Sequence, residues 1–154
     1  MRKMLFIIAI SFAATCTDPA SNDTEETNPD SYIGNGIQIP EDLLNKEWKL
    51  VELNGSSIVL DPGFREYPHL KLTNLVSTGG NLGCNGFGAS VHISAADSIK
   101  ISGIIATEMA CPNLEVERRF AEALENARTF RIQADTLLLH NDKKELIARL
   151  VHNQ

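Results

Sequence analysis

From residue 41 onward, the apolar side chains of this sequence recur mostly at every second position, in short pieces separated by turn residues. Period two is the mark of a strand with one buried face, and pieces this short cannot make helices of ordinary length. Residues 48–53 read as a strand that Trp48 opens with a large ring suited to a core. Asn54-Gly55 is a strong hairpin turn, and residues 57–60 are the expected return strand. Asp61-Pro62-Gly63 makes a second turn. Leu70 and Leu72 alternate with Lys71 and Thr73; Phe87, Ala89, Val91 and Ile93 keep the same period, as do Ile99 and Ile101. Ile104-Ile105 is a further short apolar piece. Residues 129–133, 136–140 and, after the Asn141-Asp142 turn, 145–151 complete the series.

One segment has a helical period. Val116, Phe120, Ala123, Leu124 and Ala127 fall on one face, and Arg118, Arg119, Glu122 and Glu125 on the solvated one. Pro112 and Asn113 suit a helix entry, and Glu115 and Glu117 suit the positive end of the helix dipole. The expected fold is therefore α+β: a small curled antiparallel sheet or barrel-like β domain with one docked helix.

The first 40 residues carry different information. Met1-Arg2-Lys3 is a short positive region, residues 4–12 are almost wholly apolar, and Ala13-Ala14-Thr15 places small residues before Cys16. That order is the secretory-signal pattern, with an apolar run too short to span a bilayer. Cysteine at that point resembles a lipobox, although Ala13 and Thr15 replace the usual Leu and Gly or Ala. Residues 1–15 are thus expected to be a lipoprotein signal peptide and Cys16 the lipidated residue; an incidental cysteine in an ordinary signal is the alternative. Residues 17–40 hold five acids, three prolines and no Lys or Arg, a composition that cannot bury enough apolar surface to offset chain entropy. Residues 16–40 are expected to be a disordered acidic tether, with the folded domain at 41–154. Without Arg2 and Lys3, 12 basic side chains face 20 acidic ones, a net charge of −8. Nucleic acid is a poor partner for such a surface, because binding it needs clustered Lys and Arg.

With Cys16 assigned to lipid, Cys84 and Cys111 remain. Export to an oxidising compartment favours a disulfide between them; two reduced thiols packed as small hydrophobes are the alternative. Both lie in distinctive stretches, Gly83-Cys84-Asn85-Gly86-Phe87 and Ala106-Thr107-Glu108-Met109-Ala110-Cys111. Together these resemble the META domain of HslJ-like proteins, with its GCN segment and later T-x-M-A-C segment. Trp48-Lys49-Leu50, then Glu117, Phe120 and Leu124, then Asp135-Thr136-Leu137-Leu138-Leu139 agree in order and spacing. Ala89 and Val91 depart from the family's usual Gly and aromatic. The resemblance implies a β-rich domain with one helix on an exported bacterial lipoprotein. It further implies links to heat and envelope stress, without an established reaction.

Direct signs of chemistry are few. Cys84 as a nucleophile needs a base, and His69, His92, His140 and His152 form no local hydrolase signature with it. Neither domain cysteine has a C-x-x-C partner for metal. Gly79-Gly80, Gly83, Gly86 and Gly88 lack the Lys of a phosphate loop and read as bulges or turns. Asn85 and Thr107 are short polar residues suited to satisfying loop backbone groups. No catalytic residue, metal or cofactor is expected. The reading is a non-enzymatic envelope lipoprotein that contacts the membrane through its lipid and other envelope proteins through its domain. The alternative is a lipid or small apolar ligand held within the curved sheet.

Overall fold

The computed structural model describes residues 39–60, 62, 64–111 and 114–152. Cys16, the signal and almost all of the tether lie outside them. Nine strands and one α-helix occur among the described residues: β1 (Glu47–Leu53), β2 (Ser56–Ser57), β3 (His69–Leu72), β4 (Ser77–Asn81), β5 (Gly86–Ala95), β6 (Ser98–Ala106), α1 (Glu115–Asn126), β7 (Thr129–Gln133), β8 (Thr136–His140) and β9 (Leu146–Val151). A 3-10 turn, Glu41–Leu43, precedes β1. No described helix is long and apolar enough to cross a membrane.

The strands form one antiparallel sheet in the order β2-β1-β3-β4-β5-β6-β7-β8-β9, and β1 also pairs with β9, so the sheet curls back on itself. Its weak seam lies between β6 and β7, which share the single pair Ser98↔Thr129. Helix α1 packs on β6, β9 and β1 through Phe120, Ala123 and Leu124. The fold is α+β, a curled antiparallel sheet with one docked helix, as the periodicity indicates.

Side chains fill the inside of the curl. Trp48, Leu50, Leu70, Ile93, Phe120 and Leu137 are among those fully buried in a single cluster. The Trp48 indole N–H donates to the Leu43 carbonyl at 3.2 Å, which satisfies the polar handle of a buried ring and fixes the 3-10 turn over the core. An apolar ligand inside the sheet would have to displace these side chains.

Three strand readings change. The expected return strand at 57–60 shrinks to Ser56–Ser57, because Ile58 makes only one backbone bond back to Val51 before the chain departs. Ile104-Ile105 is no separate piece but the end of β6, displaced by a register shift near Gly88 and Ser90. Strand β4 has almost no apolar signal, and its glycines lie within the strand rather than at a turn. A Cβ on Gly80, at φ +155°, would collide with the His69 carbonyl. Close backbone approach, not turning, is what excludes a side chain there.

Candidate functional site

The GCN motif occupies the connection from β4 to β5. Gly83 has φ +131°, and a Cβ on it would run into the Phe64 ring. Gly83→Ala combines a left-handed backbone with a steric clash and should cost about 1–3 kcal/mol; a shift of the urea midpoint measures it. Around this glycine the loop binds itself: Asn81 Oδ1 accepts from the Gly83 N–H at 2.6 Å, and the Leu82 N–H donates to the Asn85 carbonyl at 2.8 Å.

The next two N–H groups point to the first turn of α1. Glu117 Oε2 accepts from Asn85 N at 2.9 Å and Cys84 N at 3.3 Å, and its Oε1 accepts from Asn85 Nδ2 at 2.8 Å. The other end of the Asn85 side chain turns to the second motif. Its Oδ1 accepts from Thr107 Oγ1 at 2.9 Å and from the Met109 N–H at 2.8 Å. The Thr107 N–H in turn donates to the Gly86 carbonyl at 3.0 Å. Asn85, 3% exposed, thus joins three segments distant in sequence.

A disulfide between Cys84 and Cys111 ties the same two motifs covalently, with 6.5 Å between the Cα atoms. Gly83, Asn85, Thr107 and Met109 therefore gather at one place, Met109 through its backbone alone and with its side chain partly exposed. Glu117 is the member that residue-by-residue reading misses as a loop acceptor. Its place in a first helical turn suggests a dipole role, whereas three donors converge on its carboxylate. The signal that could reveal it is the demand side: a tight loop with successive N–H groups needs an acceptor.

The arrangement leaves little reactive chemistry. The Cys84 sulfur is engaged with Cys111, so the site offers no free thiol. His69 directs Nδ1 to the Tyr67 carbonyl at 3.0 Å, and His92 stands exposed on β5. Among the described residues, no three His, Cys, Asp or Glu side chains are placed to hold a metal ion. No buried side-chain nitrogen or oxygen there lacks a hydrogen-bond partner. Beside Glu117 lies an open hollow of about 440 Å³ walled by Leu82, Leu114 and Ala121. At its rim the Arg118 guanidinium is raised above its ordinary pKa, first by its hydrogen bond to Glu115 and then by the charges of Glu115 and Glu122.

A family model, the META domain, matches residues 41–154. The chain belongs to the META-domain family. Solved structures of similar fold include a DUF4847 family protein from Bacteroides vulgatus, 17% identical, with 72% of this chain and 94% of that chain covered and a TM-score of 0.52. An NMR structure of a protein from Burkholderia xenovorans is 17% identical over 73% of this chain and 84% of its own, with a TM-score of 0.55. A further NMR structure is 21% identical over 73% and 93%, also with a TM-score of 0.55. At these identities the likeness is one of fold. Among curated proteins nothing matches the chain. In this META domain, the two motifs and the helix between them and the last three strands form one cross-linked node.

Proposed function

We propose that this META-domain protein is an exported bacterial lipoprotein, anchored through Cys16, that serves the cell envelope under heat or other stress by binding proteins rather than by catalysis. The observation that carries the reading is the Cys84–Cys111 disulfide, since such bonds persist in oxidising compartments and are rare in the cytosol. The charged, apolar and small-residue order of residues 1–16 supports the same address. The non-catalytic part rests on a site whose polar groups are spent on one another.

Labelled palmitate tests the anchor. Incorporation into the wild-type chain and none into Cys16→Ala is the expected result, and label retained in that variant would overturn it. Crosslinking in intact envelopes then tests the second half: recurrent capture of the same envelope proteins is expected, and repeated failure to capture any would count against a binding role.

A further inference from the structure

The two halves of the Cys84–Cys111 disulfide stand in unlike surroundings. Cys84 is only 2% exposed, in the connection from β4 to β5, with its N–H directed to Glu117. Cys111 is half-buried and ends an open stretch in which Thr107, Glu108, Met109 and Ala110 are all exposed. These residues belong to neither strand nor helix. Thr107 and Met109 are held by their hydrogen bonds to Asn85. Among the described residues, Ala110 and Cys111 make no hydrogen bond, so the disulfide is what ties them to the GCN loop.

A thiolate opens a disulfide by attacking one sulfur in line with the S–S bond while the other sulfur departs. Attack on Cys84 has to come from the side opposite Cys111, where the domain encloses the residue. Attack on Cys111 comes from the side opposite Cys84, that of the exposed stretch. Leaving-group chemistry argues the other way. A thiolate departing from Cys84 emerges in the loop that the Glu117 carboxylate binds, whereas one departing from Cys111 is nearer solvent. That difference only scales a rate, and an enclosed sulfur is out of reach until the loop opens. Access therefore decides.

We propose that Cys111 is the site of thiol exchange in this domain, an S-thiolation site for a small soluble thiol. The incoming thiolate bonds to Cys111 Sγ, and the bond to Cys84 Sγ breaks. The bonding pair leaves on Cys84 Sγ, which takes a proton from water. One disulfide replaces another, and the products are a mixed disulfide on Cys111 and a buried Cys84 thiol. Asn85 keeps its bonds to Thr107 and Met109, so Ala110 and Cys111 are released while the two motifs stay joined. The inference rests on the pairing of Cys84 with Cys111 and not on anchoring through Cys16.

Glutathione is the probe that tests it. The full chain carrying Cys16→Ala retains only the paired cysteines of its three. It is incubated with reduced glutathione, quenched in acid at early times and mapped by peptide mass. The adduct is expected on Cys111 at least about 10-fold more often than on Cys84. The amides of Leu137 and Leu139 should keep their protection from hydrogen exchange meanwhile, which places the reaction in the folded domain. Glutathione found mainly or equally on Cys84 would overturn the proposal. So would an adduct that forms only once the protection of β8 is lost.

Discussion

Glu117→Ala lowers the stability of the domain by about 3 kcal/mol, measured as a fall in the urea midpoint at unchanged slope. The carboxylate accepts from Cys84 N, Asn85 N and Asn85 Nδ2, and alanine strands all three donors in a partly buried loop. Hydrogen bonds to a charged acceptor contribute about 1.5–3 kcal/mol each, and solvent entering the gap recovers part of the loss. Glu117→Gln distinguishes shape from charge. Its amide has one oxygen for the two backbone N–H groups and must turn its NH2 toward Asn85 Nδ2, another donor. The glutamine variant is therefore expected to fall between wild type and alanine. Wild-type stability in Glu117→Ala would show that the carboxylate contributes nothing to the loop.

The second large effect belongs to the disulfide. Cys84→Ser/Cys111→Ser should destabilise the domain by about 3–4 kcal/mol, the chain-entropy contribution for closing a loop of this sequence separation, 27. The hydrogen bonds from Asn85 to Thr107 and Met109 cross between the same segments, so the reduced domain keeps a non-covalent link there. Partial rather than complete unfolding at moderate temperature is the expected outcome, read by thermal melts with and without reductant. A melting temperature indifferent to reductant would mean the crosslink adds nothing to folding.

Much of this fold is legible because its strands bury one face. Residues 129–133 and 136–140 are read with the bounds of β7 and β8, since Phe130, Leu137 and Leu139 supply large buried side chains between clear turns. Helix α1 is equally plain from Phe120 and Leu124. Strand β4 is not, because Ser77-Thr78-Gly79-Gly80-Asn81 offers no large apolar residue, and its glycines answer to the backbones of β3 and β5. Propensity argues against a strand there, and tertiary packing overrides it. The site divides the same way. Cys84, Asn85, Thr107 and Cys111 stand out through local motifs. The role of Glu117 depends on a loop 32 residues earlier in sequence, which helical spacing alone does not bring near.

That Asn85 and Glu117 act as one unit is the centre of the structural reading, and a double-mutant cycle on these two residues tests it most directly. Urea unfolding of Asn85→Ala, Glu117→Ala and the double variant gives the coupling energy. Residues sharing one hydrogen-bond network should couple by about 1–3 kcal/mol, so the double variant should lose clearly less than the two single losses combined. Strictly additive losses would contradict the node, and would return the GCN and T-x-M-A-C residues to two independent loops.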